Sequence, residues 1–190
     1  MKFTIISPTI QRPSLLRCCE SVSVQTHQSF EHIVQVDCAE YDMALITAIE
    51  EDPRRAIYKC PVSHKNFGNT CRGLAWMVAT GDWVLHLDCD NYLADDHVLE
   101  DLAAALVDVE EKWAIFPILR FGQRFFYDPP GCCSVDTLNM VIRREVAQWP
   151  DGSEYAMDGL FCEQLKARHP WKSFPSFRPI GVMESSGKGR

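Results

Sequence analysis

Along the first half of the chain, short continuous apolar runs alternate with stretches of helical spacing. Phe3 to Ser7 reads as a buried strand, followed by a loop carrying Pro8, Thr9 and Pro13. Ser14 then stands as N-cap of a helix from Leu15 to Gln25. His32 to Asp37 reads as a second strand, Ala44 to Glu51 as a helix before Pro53, and Ala56 to Lys59 as a third strand. Asn69 to Ala79 places Leu74, Met77 and Val78 at helical spacing, and Gly81 stops it. Trp83 to Leu87 is a run of bulky residues expected as a buried strand. Asp95-Asp96 opens a helix whose Leu99, Leu102, Leu106 and Val109 form one apolar stripe. Strand and helix in alternation predict an α/β fold: a parallel sheet with helices on both faces and ligands bound beyond the carboxyl ends of its strands.

The second half is less regular. Trp113 to Leu119 is strand-like, Phe121 to Tyr127 returns as a hairpin strand, and Asp128-Pro129-Pro130-Gly131 is a turn. Leu138 to Ile142 reads as another strand and Gly159 to Arg168 as a helix, while Pro170, Pro175 and Pro179 leave the remainder of the chain as loop. No repeat or linker divides the chain. Residues 1–190 are therefore expected to form a single domain in which 113–184 make a lobe and 185–190 a flexible tail.

Composition narrows the partners. Apolar residues are 46% and charged residues 24%, enough for an ordinary core. A net charge of −7 offers no general attraction for a phosphate backbone, so nucleic acid is excluded as main partner. A phosphorylated ligand would need a cation or a local set of donors. The apolar run after Met1 is too short for a secretory signal, and the longest one elsewhere, Leu102 to Val107, falls far below the ~20 residues of a membrane span. The nine cysteines include no Cys-x-x-Cys pair, which argues against a structural zinc site and for free thiols in a cytoplasmic, reducing compartment.

The strongest local signal is WVLHLDCDN, an apolar strand ending abruptly in Asp88 and Asp90. Two carboxylates at a strand end are costly unless they meet cations, donors or water in a cleft, and this oxygen pair suits Mg²⁺ or Mn²⁺. Taken alone, the pair is equally a solvated turn capping the next helix. Its context is more specific. Upstream lie Ser7-Pro8-Thr9 with Arg12, then Asp37, then Gly68 with Arg72, then Ala79-Thr80-Gly81-Asp82, all in register with Asp88-Cys89-Asp90.

In these positions the sequence resembles the family 2 glycosyltransferases, closely over residues 2–100 and loosely beyond. The resemblance implies the GT-A fold, a Rossmann-like three-layer α/β/α arrangement with a mostly parallel sheet and a small acceptor-side lobe. It implies a nucleotide-sugar-binding half over 1–112 and an acceptor-side half over 113–184. It further implies that Pro8, Thr9 and Asp37 hold base and ribose, with Arg12 and Gly68 in the same binding set. Arg72 would contact the nucleotide, Asp88 would face sugar or ribose, and Asp90 would ligate Mn²⁺ or Mg²⁺ with Asp88 beside it. The partners would be a nucleoside diphosphate sugar and a glycan, lipid-linked or other hydroxyl acceptor, with no transmembrane segment.

Inverting transfer also needs a general base, which the family places at the start of a helix in the second half. EYAMDGLF matches that location and makes Asp158 the candidate, with Met157 where an acidic residue is usual. Asp158 is also well suited to be a helix N-cap, and Glu154 and Glu163 are alternative bases. Gly73 replaces the Asn that often follows the helix Arg, and the absence of Gln-x-x-Arg-Trp favours transfer of a single sugar. Two other readings stay open: a sugar nucleotidyltransferase, which would want a Gly-rich basic loop after the first strand, and a non-catalytic nucleotide or glycan binder.

Overall fold

The computed structural model describes residues 1–38, 40–132, 134–146, 149–150 and 152–184; the tail expected at 185–190 lies outside them. The elements run β1 (Phe3–Thr9), α1 (Leu15–Ser23), β2 (Phe30–Val36), α2 (Met43–Ile49), β3 (Arg55–Lys59), α3 (Asn69–Val78), β4 (Trp83–His86), β5 (Asn91–Leu93) and α4 (Val98–Leu106). There follow β6 (Trp113–Ile115), β7 (Ile118–Arg120), β8 (Gln123–Phe125), a 3-10 turn (Thr137–Asn139), β9 (Met140–Arg143), α5 (Met157–Arg168), β10 (Trp171–Ser173) and β11 (Gly181–Met183).

Among the described residues, seven strands form one sheet in the order β10-β6-β9-β4-β1-β2-β3. Of these, β9 alone runs against the others. Alternation along the buried strands divides the core between two faces. Phe3, Ile5, Trp83 and Leu85 pack with Cys18 and Val22 of α1 and Leu99, Leu102 and Leu106 of α4. Ile6, Ile33 and Val84 pack with Ala75 and Trp76 of α3 and Phe161, Cys162 and Leu165 of α5. The result is the three-layer α/β/α architecture expected from the alternating pattern. Chain order reverses direction across the sheet between β1 and β4, which opens a crevice at their carboxyl ends.

Several local expectations are corrected. β1 continues through Pro8 and Thr9, whose carbonyl accepts the Asp37 N–H at 2.7 Å, so these residues are strand and not loop. α3 turns a different face inward: Leu74, Met77 and Val78 are exposed, while Cys71, Arg72, Ala75 and Trp76 are buried. The single strand read from Trp113 to Leu119 is broken at Phe116-Pro117 into β6 in the main sheet and β7 in a second, four-stranded sheet β5-β11-β7-β8. Three prolines do not keep the end of the chain irregular, because β10 and β11 each lie beside a preformed strand edge. Arg143 lies over the Trp83 ring and donates to the Val109 carbonyl, and the exposed Arg144 donates to the Gly81 carbonyl.

Glu31 pins β1, β2 and the turn into β4 together. Its carboxylate accepts from Thr4 Oγ1 at 2.6 Å, Thr80 N at 2.5 Å, Thr80 Oγ1 at 2.6 Å and Lys2 Nζ at 3.1 Å. Burial alone would raise its pKa, but these donors prevail and bring it from 4.5 to about 2. Its stabilising effect is thus fully present above pH 4.5 and lost as pH falls toward 2. Glu31→Gln is expected to cost about 1 kcal/mol at neutral pH, reduced by the solvent that still reaches the carboxylate. Urea unfolding of both proteins between pH 7 and pH 2.5 should show the difference shrinking as the solution is acidified.

Gly68 sets the entry of α3. It is left-handed at φ +78°, and a Cβ there would stand 2.8 Å from Pro8 Cβ. Gly122, in the β7–β8 turn, has a similar φ of +75° with nothing within 4 Å of a Cβ. Gly68→Ala is therefore expected to destabilise more than Gly122→Ala, by about 1 kcal/mol or more, since only the first adds a clash to the backbone strain. Chemical denaturation of the two variants compares them directly.

Candidate functional site

The crevice is built from strand ends. Leu87 N–H extends the ladder to the Ile6 carbonyl at 2.9 Å, after which the backbone leaves the sheet and releases Asp88. Gly68 lets the N-terminus of α3 rest on Pro8, and one turn later Arg72, only 5% exposed, reaches across to Asp88. Arg72 Nη1 donates to the Phe67 carbonyl at 2.8 Å, its Nη2 forms an ion pair with Asp88 Oδ1, and its guanidinium lies 5.1 Å from the Trp149 ring centre. Arg12 Nη1 reaches Asp90 Oδ2 at 3.0 Å. Both aspartates of the Asp-x-Asp pair therefore meet an arginine.

Asp158 comes to the same place from the first turn of α5. The helix begins after Ala156, so Asp158 is inside it and is not the N-cap; its Oδ1 accepts from Gly159 N at 2.8 Å. Burial raises its pKa and the Asp88 charge adds to this, while the Gly159 N–H and Arg72 act the other way. Of the alternative bases, Glu163 is engaged elsewhere: its Oε1 accepts from Cys132 N at 3.2 Å and stands 3.4 Å from Lys166 Nζ. The Glu154 backbone carbonyl accepts from Asn69 Nδ2 at 3.1 Å, which places its loop beside the start of α3 and leaves its carboxylate as an alternative. His169 ends α5, about 16 Å of helix away from Asp158.

Asp37 and Thr9 are adjacent through the Asp37 N–H bond to the Thr9 carbonyl. Asp37 Oδ1 accepts from the backbone N–H of His64 at 2.7 Å, which ties the loop after β3 to the end of β2. Among the aromatics of the second half, Trp149 is buried against His86 and Phe161, Trp171 lies against Trp113, and Phe174 stacks on Phe116. Tyr155 is exposed and meets Phe67 edge-on at 5.2 Å, beside Gly68. His86 is fully buried between Trp76 and Trp149.

Sequence reasoning missed Asp136. It caps the 3-10 turn, accepting from Leu138 N at 3.0 Å, and burial followed by the Asp88 charge raises its pKa to about 7, with Asp158 adding to the rise. The SVDTLN pattern marks the turn. Its nearness to Asp88 arises only because antiparallel β9 begins where β4 ends, with Leu85 opposite Val141. Beside Asp88, Arg72 Nε and both amide atoms of Asn91 are buried and find no hydrogen-bond partner among the described residues.

Among solved structures, S. aureus TarS superposes with a TM-score of 0.81 at 17% identity over 98% of this chain and 37% of its own. TarS 1-349 in complex with UDP-GlcNAc gives 0.78 at 18% identity over 96% and 58%. The mannosyltransferase PcManGT from Pyrobaculum calidifontis, in complex with GDP-Man and Mn²⁺, gives 0.75 at 15% identity over 99% and 58%. The chain thus spans less than two thirds of the length of each, and likeness at this identity establishes the fold. No curated protein sequence matches. The model of Glycosyl transferase family 2 matches residues 4–153, most of the chain and every strand-end residue of the crevice, and on that match the chain belongs to glycosyl transferase family 2.

Proposed function

We propose that this chain binds a nucleoside diphosphate sugar in the β1–β4 crevice and transfers the sugar, with inversion, to an acceptor hydroxyl. The observation that carries the reading is the convergence of Asp88 from β4, Arg72 from α3 and Asp158 from α5 on one point at the topological switch of the sheet. Family membership and neighbours solved with UDP-GlcNAc and GDP-Man support a nucleotide-sugar donor. The half over 1–112 takes the donor in this reading, and 113–184 supplies the acceptor side.

Asp37 accepts from a ring N–H of the base, and Pro8 and Thr9 form the floor beneath base and ribose. Arg72, held by Asp88 and the Phe67 carbonyl, supplies its guanidinium charge to the donor's diphosphate. The donor set of Asp88 and Asp90 fits a hard divalent cation: carboxylate oxygens at a strand end, next to the unpartnered buried amide of Asn91. Such an ion, when bound, would neutralise the diphosphate and stabilise it as the leaving group. Arg12 and Arg72 hold the same carboxylates before donor arrives, and Arg12 must yield part of its contact with Asp90. Asp158 takes the proton of the acceptor hydroxyl. Its burial raises basicity, and the Gly159 N–H aims one oxygen.

Asp90→Asn is expected to abolish the dependence of nucleoside diphosphate binding on Mn²⁺ while leaving the thermal midpoint within a few degrees of wild type. Calorimetry with UDP and GDP, in EDTA and in Mn²⁺, reads this, and equal affinity of the wild type in both conditions would refute the metal assignment.

Asp158→Asn is expected to keep donor binding and lose about 10²–10⁴-fold in turnover. Because a base acts only when ionised, and burial holds the Asp158 pKa above the ordinary carboxylate range, the wild-type rate should fall on the acid side at a pH above that range. A pH profile of kcat/KM checks the position of that limb. Near wild-type turnover in Asp158→Asn would remove Asp158 from the chemistry.

A further inference from the structure

The ends of β2 and β3 bring together a second set of ligating groups, distinct in chemistry from the Asp88–Asp90 pair. A carboxylate oxygen of Asp37, Cys60 Sγ and a ring nitrogen of His64 all lie within 4.8 Å of one another. Cys71 Sγ, from the first turn of α3, is 3.6 Å from Cys60 Sγ. The imidazole, the carboxylate and the Cys60 sulphur thus face a common point, supplied by two strand ends and a loop, and a second sulphur from a helix stands beside Cys60. The absence of a Cys-x-x-Cys pair hides this from the sequence, because the four residues are separated by 23, 4 and 7 positions.

We propose that Asp37, Cys60, His64 and Cys71 form a site for a thiophilic divalent cation, with zinc as the metal whose tetrahedral preference the set fits. Ligand atoms on a tetrahedral zinc stand roughly 3.3–3.8 Å apart, given bonds of about 2.3 Å to sulphur and 2.0–2.2 Å to nitrogen or oxygen. The two sulphurs already have that separation. Closing the set around a cation asks for movement of His64, its exposed member, and for the Cys71 sulphur to turn from Cys60 toward Asp37 and His64, while Asp37 and Cys60 are buried. Sulphur ligands select against Mg²⁺ and Mn²⁺, so this set and the all-oxygen pair at β4 choose different ions.

The surroundings of the four residues fit that role. Gln35 Nε2 donates to Cys60 Sγ at 3.3 Å, a contact that favours a sulphur carrying negative charge. The backbone N–H of His64 holds one Asp37 oxygen and thereby keeps the His64 loop over the cluster. Each sulphur that binds the cation does so as thiolate, its proton passing to solvent and no electrons moving.

The test uses the purified, metal-stripped chain and Co²⁺ as probe, with Zn²⁺ as competitor. One equivalent of Co²⁺ should give a sulphur-to-cobalt charge-transfer band that Zn²⁺ abolishes. His64→Ala, which alters only an exposed side chain, should weaken Co²⁺ binding by more than the about 10–100-fold typical of losing an outer-shell partner. Cys60→Ser should weaken the band, leaving at most the Cys71 contribution, with far-ultraviolet circular dichroism checking that the fold persists. Asp90→Asn should leave band and affinity unchanged, which separates this site from the proposed donor cation. No sulphur band, a band unaffected by His64→Ala, or a band lost in Asp90→Asn would each overturn the proposal. None of these outcomes bears on whether Asp88 and Asp90 serve the sugar donor.

Discussion

The site is organised around a problem of like charge. Asp88, Asp136 and Asp158 converge from β4, the turn before β9 and α5, in a chain whose carboxylates already outnumber its cations. Arg72 is the buried charge that makes this tolerable, and it can do so only because α3 starts where Gly68 allows it to lie against Pro8. The balance is incomplete. Asp136 is driven up to about 7 and Asp158 above its ordinary range, which means that the fold carries a cost that an apolar or fully paired crevice would not. Perturbed carboxylates that cluster at a sheet's switch point are the physical mark of a site selected for something other than stability.

That arrangement explains why the second half cannot be separated from the first. β6, β9 and β10 are strands of the central sheet, so the residues after Lys112 complete the same layer that begins with β1. The antiparallel course of β9 places its preceding turn, and thus Asp136, at the carboxyl end of β4. α5 covers the face that α3 leaves open, packing Phe161 against Trp149 and Trp76, and that packing sets where Asp158 enters the crevice. The two halves of the chain therefore share one core, and a change in the position of α5 would be felt at Asp88.

The legible parts of this structure are those in which local pattern and tertiary role coincide. Apolar runs located β1, β2, β3 and β4, and an abrupt Asp-x-Asp after such a run located the crevice, because a buried strand can release carboxylates only at its end. The pattern failed where tertiary packing overrides it. Leu74, Met77 and Val78 look like the buried stripe of α3, yet Arg72 must face inward to meet Asp88, and this turns those three residues to solvent. Phe116-Pro117 reads as part of one strand, although Pro117 has no N–H to continue a ladder and its chain switches sheets there. Asp136 and the Asp37–Cys60–His64–Cys71 set are invisible to spacing alone, since strand order, not sequence, makes their members neighbours.

Asp37 stands where the two inferred ligands meet. In the donor reading its carboxylate accepts from a base, and in the cation reading one of its oxygens belongs to a sulphur-rich site. A carboxylate oxygen committed to a cation is a poorer acceptor for a ring N–H. If both proposals hold, the two ligands would compete for the same residue. The coupling is reciprocal: whatever factor the thiophilic cation takes from nucleotide affinity, the nucleotide takes from the affinity for the cation. The hard-ion pair at β4 escapes this competition, because neither Asp88 nor Asp90 belongs to the sulphur set, and their partners are Arg72 and Arg12.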